Sequence, residues 1–302
     1  MSSPSHIVVG LGELIWDLLP DGKQLGGAPT NFAYISHLLG DDSVVASRIG
    51  ADELGREASA RLRRLGISTQ YLQVDATHPT GTVGVRIDAS CGEAHFAVNE
   101  NSAWDYLEWT PDWERLSPRV DAVCFGTLGQ RHTQARATII RFLERTRPDA
   151  LRVFDVNLRH SFFTAAMLRK SLELSTMVKL NGDELSTVAG MLELEGDSVE
   201  TRCRRLMKLY DIELIAVTRG AGGSLLLTKD ETVEHRGFHV EVKDTIGAGD
   251  AFAATLAHFL LRRAPLGTAS EAANRIGAWI ASQAGATPVA DASLLKSLLR
   301  QT

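Results

Sequence analysis

Lys243-Asp244-Thr245-Ile246-Gly247-Ala248-Gly249-Asp250-Ala251-Phe252 is the most informative stretch of this chain. It follows a strand-like segment, Phe238 to Val242, and opens a helix in which Phe252, Leu256, Phe259 and Leu260 recur at helical spacing. Gly247 and Gly249 let the backbone turn tightly with its N–H groups free at a helix N-terminus. Such a turn attracts anions, phosphate above all, through free amides and the positive end of the helix dipole. An acid in the same turn is odd, because Asp250 repels the anion that the amides attract. Two readings fit it. Asp250 caps the first helical turn, or it is a general base that takes the proton of a substrate hydroxyl. In the second reading the Gly247, Ala248 and Gly249 amides stabilise charge on a transferring phosphoryl group.

Outward from this motif, short β-branched runs alternate with amphipathic stretches, the pattern of a parallel sheet covered by helices. Ile7 to Val9, Val120 to Phe125, Leu151 to Val156, Met177 to Leu180 and Leu214 to Val217 read as strands. Helices are expected from Gly249 to Arg263 and from Thr268 to Gln283. Two segments break the pattern. Glu13 to Gln24 mixes apolar and acidic residues, and Thr80 to Val98 alternates around a turn at Ser90 to Gly92, as a hairpin does. Both are expected in a small antiparallel flap beside the main sheet. Ligands of such sheets bind outside the carboxyl ends of the strands, so a flap fed from the first strand end can close over that crevice.

Composition narrows the function. The chain has 302 residues, 44% hydrophobic and 23% charged, which is ordinary for a globular protein of one or two domains. A net charge of -5, from 32 basic and 37 acidic residues, argues against nucleic acid as the main partner. No apolar run reaches the roughly 20 residues that span a bilayer, and the first residues lack a basic, apolar leader, so a cytoplasmic protein away from the membrane is expected. Cys91, Cys124 and Cys203 form neither a metal site nor a disulfide framework. The nine histidines show no zinc-like spacing. Gly10-Leu11-Gly12 after the first strand suggests a dinucleotide-binding turn and an NAD-dependent oxidoreductase, but the third glycine position is Ile15; no GxxxxGK[ST] loop occurs either.

Leu25-Gly26-Gly27-Ala28-Pro29-Thr30-Asn31-Phe32-Ala33 leads into a helix with Phe32, Ile35, Leu38 and Leu39 on one face and Gly40 as its stop. Paired glycines let a ligand approach the backbone, and Asn31 both donates and accepts hydrogen bonds, which suits a polyhydroxylated substrate; an Asn cap is the plainer alternative.

The nine residues DTIGAGDAF, Asp244 to Phe252, resemble the carboxy-terminal signature DTxGAGDxF of the PfkB, or ribokinase-like, carbohydrate kinases. The segment from Gly26 to Gly40 resembles the amino-terminal signature of the same family. Gly12-Glu13-Leu14-Ile15-Trp16-Asp17 is similar to the GExLxD opening of fructokinase-like members. Asp155-Val156-Asn157-Leu158-Arg159 resembles the D-x-N-x-R segment, Asn181-Gly182-Asp183-Glu184 the N-x-x-E motif, and Thr218 to Gly223 the T-x-G-x-x-G loop over the nucleotide.

The resemblance implies a three-layer α/β/α sandwich with a mainly parallel sheet, a single domain over 1–302 with a lid formed from about 12–30 and 79–105. It implies transfer of the γ-phosphoryl group of ATP to a sugar hydroxyl. Asp250 is then the base, the Gly247-Ala248-Gly249 amides the anion hole, and Arg159 a phosphate or substrate clamp. Asp17, Gly26, Gly27 and Asn31 would bind the sugar, with Glu100 and Trp104 at the flap return. Asn181, Thr218, Gly220, Gly223 and Asn274 fall to ATP. Asn181 and Glu184 would hold Mg²⁺ through water, and Asp244, helped by Ala284 and Gly285, a monovalent cation such as K⁺. Fructose is the first substrate expectation; ribose, 2-keto-3-deoxygluconate, a nucleoside or a sugar phosphate stay open, the last needing Lys23, Arg86 or Arg131 at a second phosphate. A non-catalytic sugar-binding relative is the other class, against which the presence of Asp250 and its loop speaks. The edges of the flap are open to pairing with a second copy as a homodimer.

Overall fold

The structure, a computed structural model, describes residues 5–19, 22–87, 94–290 and 292–300. Its strands are β1 (Ile7–Leu11), β2 (Ile15–Leu19), β3 (Gly22–Gly26), β4 (Asp42–Gly50), β5 (Leu72–Asp75), β6 (Gly81–Ile87), β7 (Ala94–Val98), β8 (Ala122–Gly126), β9 (Leu151–Asp155), β10 (Met177–Asn181), β11 (Leu214–Thr218), β12 (Ser224–Thr228) and β13 (Thr232–His235). The helices are α1 (Ala28–Leu39), α2 (Glu53–Arg64), α3 (Pro111–Leu116), α4 (Thr133–Glu144), α5 (Ala165–Glu173), α6 (Gly182–Met191), α7 (Val199–Tyr210), α8 (Ala248–Leu261), α9 (Leu266–Ala281) and α10 (Ala292–Leu299).

The main sheet runs β13-β12-β11-β10-β9-β8-β1-β4-β5, parallel from β11 to β5, with β12 and β13 antiparallel at one edge. Its central strands are apolar at successive positions because both faces are covered. Along β1, Val8 enters one core while Val9 and Leu11 enter the other; β8 divides likewise, with Ala122 and Cys124 opposite Val123 and Phe125. The first core packs on α1, α8 and α9, the second on α4 to α7. This alternation decides where the polar strand-end residues point. Val153 and Met177 belong to the first core, so Asp155 and Lys179, two residues further on, face α8.

The second sheet, β3-β2-β6-β7, is the expected flap. Its central pairing, β2 with β6, is parallel rather than antiparallel. The reason lies in the main sheet, where β1 and β5 run in the same direction and each hands the chain to the flap at its carboxyl end. The underside of the flap is apolar, with Ile15 and Val83 packed on Trp104 and Leu128. The turn expected at Ser90 to Gly92, and Cys91 with it, lie outside the described residues. β4, β5, β12 and β13 had no reading in the sequence.

The strand expected from Phe238 to Val242 is absent from the ladders. The chain leaves the edge at β13, and the Lys243 amide donates to the Ala281 carbonyl at 2.9 Å instead of to a strand. β1 runs into the flap and not into a phosphate-binding helix, so the oxidoreductase reading loses its structural context. No helix among the described residues is long and apolar enough to cross a membrane.

Candidate active site

A cleft of about 850 Å³ opens between the carboxyl ends of the central strands, the flap and the N-terminus of α8. Asp17, Gly27, Asn31, Arg159, Asn181, Glu184, Thr218, Gly220, Gly223, Gly247, Ala248, Gly249, Asp250 and Asn274 all line it. These residues are up to 257 positions apart in the chain, and the parallel topology brings most of them together at or just beyond strand ends, with Asp17 added from the flap and Asn31 and Asn274 from α1 and α9.

Asp250 lies in the first turn of α8 and is 9% exposed. Its Oδ2 accepts from Asn31 Nδ2 at 2.8 Å, a bond joining the two ends of the sequence. Burial, then the nearby Asp155 charge, raise Asp250 to about 6, against the pull of Lys179, Asn31 and Arg159. The Asn31 Oδ1 is buried without a partner and is free to take a hydroxyl proton. Gly247 caps α8 at φ 79°, where a Cβ would meet Ala286 Cβ at 2.4 Å, so only glycine turns the chain here; the Ala248 amide reaches back to the Thr245 carbonyl at 3.3 Å at the start of the helix.

Two further carboxyls line the cleft with Asp250, at the end beside the flap. Besides Asp250, Asp17 on β2 is raised to about 6 by burial and by Asp244, and Glu13, in the loop before β2, is raised to about 7, chiefly by burial. Arg159 moderates all three, and among the described residues its guanidinium donates only to the Leu158 carbonyl, at 3.4 Å. Between this end and the nucleotide end stands a residue with no part in the sequence reading. Lys179 Nζ bonds Asp155 Oδ1 at 3.0 Å and Oδ2 at 3.2 Å, and a Cβ on Gly249 would come within 2.8 Å of it. The two residues are direct cross-strand partners of β9 and β10. Burial works against the Lys179 charge, yet Asp155, Asp250 and Glu184 together hold its pKa above the usual lysine value. A lysine inside the apolar run Met177 to Leu180 was the available signal, as was Glu13 among apolar neighbours for the acid.

At the nucleotide end the side chains are already bonded. Asn181 and Glu184 form a capping box: Asn181 Oδ1 accepts from the Glu184 amide at 2.9 Å, and Glu184 Oε2 from the Asn181 amide at 2.8 Å. Glu184 Oε1 takes the Leu158 amide at 3.1 Å. Each carboxylate oxygen keeps a lone pair, and no cluster of three or more His, Cys, Asp or Glu occurs among the described residues. This donor set fits a magnesium ion that keeps its water and is reached through it. Asn274 donates to Ser224 Oγ and to the Ser270 carbonyl, both at 2.8 Å. Thr218 Oγ1 reaches the Leu180 carbonyl at 3.5 Å, and Phe238, His239, Val240, Ala278 and Ala281 complete the wall.

Four expected residues do not line the cleft. Trp104 is fully buried under the flap, with the Arg131 guanidinium 4.1 Å from its ring, and Glu100 is exposed beyond the flap return; the hydrophobic underside of the flap, not the sugar, is what this aromatic serves. Gly26 lies behind Asp17, whose Oδ2 would be 2.7 Å from a Cβ there. Asp244 spends its carboxylate on the Ile246 amide at 3.0 Å and the Gly285 amide at 3.2 Å, tying together the two loops expected around a monovalent cation. Cys124 and Cys203 are inert by burial: it raises Cys124, and pushes Cys203 up to about 12.

Known proteins similar to this chain share its architecture. Residues 21–292 match the family described as pfkB family carbohydrate kinase. An Escherichia coli fructokinase is 30% identical over 259 residues, 82% of this chain and 81% of that one. The structure of a Vibrio cholerae fructokinase, solved in a fructose, ADP and calcium ion bound form, superposes with a TM-score of 0.81 at 25% identity, covering 98% of this chain and 99% of that one. An aminoimidazole riboside kinase from Salmonella enterica superposes with a TM-score of 0.80 at 24% identity, over 97% and 99% of the two chains. A strand-end cleft with an amide-rich helix N-terminus, an acid within that turn and this likeness have one reading: the chain belongs to the PfkB family of carbohydrate kinases and is an ATP-dependent phosphotransferase with a sugar alcohol group as acceptor.

Proposed function

We propose that this protein phosphorylates an unphosphorylated sugar, with fructose as the first candidate, and that Asp250 is its general base. The observation that carries this reading is the acceptor end itself, where Glu13, Asp17 and Asp250 converge. Carboxyls in a buried, hydroxyl-poor corner are hydrogen-bond partners for sugar hydroxyls and repel a second phosphate. Two of the three cations considered for a second phosphate are committed elsewhere. Arg131 holds Asp105 through two bonds of 2.8 and 2.7 Å, and Lys23 pairs with Glu57 on α2 outside the cleft. The side chain of Arg86 lies outside the described structure.

In the reaction, Asp250 accepts the proton as the sugar oxygen forms its bond to the γ-phosphorus, and the bond to the ADP oxygen breaks with its electrons leaving on ADP. The amides of Gly247, Ala248 and Gly249 and the α8 dipole face the charge that spreads over the phosphoryl oxygens. Arg159 spans from the three acids to that group, and Asn31 fixes the Asp250 carboxylate. Asn181 and Glu184 would hold Mg²⁺ through water; the ion supplies charge neutralisation on the phosphates. The loops joined by Asp244 suit K⁺. Thr218, Gly220, Gly223 and Asn274 border the nucleotide, and Asp17, Gly27 and Asn31 the sugar. In this reading the flap is a lid on a single domain, its free edges, β3 and β7, are where a second copy pairs, and the enzyme is cytoplasmic.

The experiment is a coupled assay with ATP and Mg²⁺, with and without K⁺, over fructose, ribose, 2-keto-3-deoxygluconate, a nucleoside and fructose 6-phosphate. The expected outcome is highest kcat/KM on a neutral sugar, fructose first. Preference for the sugar phosphate would overturn the acceptor class.

A further inference from the structure

We propose that Glu13 is the positioning residue of the base Asp250 and does this work as a protonated carboxylic acid; the proposal rests on the kinase reading above. Glu13 is 2% exposed, lines the cleft, and none of the established features of the fold requires an acid there. The backbone amides of Glu13 itself and of Ala28, the first residue of α1, partly offset the burial of its carboxyl, and its carbonyl oxygen lies 2.5 Å from where a Cβ of Gly27 would be. Gly27, at φ 103°, accepts the Asn31 amide at 2.9 Å, and Asn31 Nδ2 in turn holds Asp250 at 2.8 Å. One helical turn therefore connects Glu13 to the base.

The corner lacks a donor. Glu13 Oε2 and Asn31 Oδ1 are both buried acceptors without a hydrogen-bond partner, a deficit that a proton on Glu13 and a hydroxyl of the bound sugar relieve. The groups facing Glu13 are Asp250 from α8, Arg159 from the loop after β9, and Cys124 on β8, whose thiol burial keeps protonated. Burial first, and Asp250 second among the raising influences, bring Glu13 to about 7. Asn31 donates to Asp250 and Lys179 draws negative charge to it, whereas Glu13 Oε2 has no donor, so the charge settles on the base and the proton on Glu13. Above 7 a second negative charge appears beside the base and the incoming phosphoryl group, and turnover suffers.

The test is the pH dependence of kcat/KM on the best sugar in wild type and Glu13→Gln, a neutral amide of the same size. Wild type is expected to rise through pH 6 and fall above pH 7; Glu13→Gln keeps the rise and loses the fall, with unchanged ADP affinity by calorimetry. Glu13→Ala, which removes the carboxyl beside Asp250 and the start of α1, is expected to lower kcat at least tenfold at pH 6.5. Superimposable wild-type and Glu13→Gln profiles overturn the proposal. Thermal melting separates it from the kinase reading. A carboxyl whose folded pKa is raised from 4.5 to about 7 loses stability as pH rises through that window, because the unfolded chain releases the proton first. Wild type is therefore expected to fall behind Glu13→Gln in Tm between pH 4.5 and 7 and to stay behind above it. Parallel Tm curves sink the role of Glu13 even if a sugar is phosphorylated, whereas failure to phosphorylate any sugar, with divergent Tm curves, overturns the kinase reading alone. If Glu13→Gln does not fold, the wild-type profile decides, since a kcat/KM without a fall above pH 7 overturns the proposal.

Discussion

The two ends of the cleft are built on opposite principles. At the acceptor end Glu13, Asp17 and Asp250 are buried carboxyls pushed above their usual range, and Asn31 carries an acceptor atom with no partner. At the nucleotide end Asn181, Glu184 and Asn274 are bonded before any ligand arrives, through a capping box and a serine pair. Unfulfilled hydrogen bonds and strained ionisation cost stability, and proteins keep them where a ligand will complete them. Satisfied side chains around glycine-rich backbone instead offer shape and amides, which suits a ligand common to many enzymes. In the proposed reading the acceptor end is therefore where chemistry and specificity are set.

Substitutions can break that contrast, beginning with the largest effect. Asp250→Asn keeps the shape and the Asn31 contact while removing the base; turnover is expected to fall about 10²- to 10⁴-fold, the usual contribution of a general base. ADP affinity should be unchanged by calorimetry, and a comparable loss in ADP binding would mean that the two ends are not separable. Lys179→Met tests the junction between them. It leaves Asp155 as an unpaired buried charge, so a loss of about 3–5 kcal/mol is expected in denaturant unfolding, and a second change, Asp155→Leu, should recover much of it. Smallest is Asn274→Ala at the nucleotide end, which deletes bonds to Ser224 and Ser270. About 1–2 kcal/mol of stability should go, with a raised KM for ATP and an unaltered KM for the sugar. A change in sugar KM instead would erase the division.

Much of this was legible along the chain. The layered sheet, the flap from two separate segments and the turn around Gly247 follow from patterns of two, of about 3.6, and of glycine placement, which are local properties. β4, β5, β12 and β13 were not legible, and Phe238 to Val242 was misread, because its apolar residues line the cleft rather than a ladder. Trp104 looked like a sugar contact beside the flap return, but it packs below the flap with Ile15 and Val83. Sequence proximity to a lid does not tell which face of it a side chain meets.

The sequence by itself determined the motifs, the kinase family they resemble and the acid proposed as base, since each of these is written in contiguous residues. Tertiary structure alone decided that Lys179 and Asp155 meet as cross-strand partners under Gly249, that Asn31 holds Asp250 across 219 positions, and that Glu13 loses its solvent. A carboxyl or an ammonium has the same chemistry in every sequence; its pKa and its partners depend on which distant groups the fold brings within a few ångströms and on how much water it leaves there.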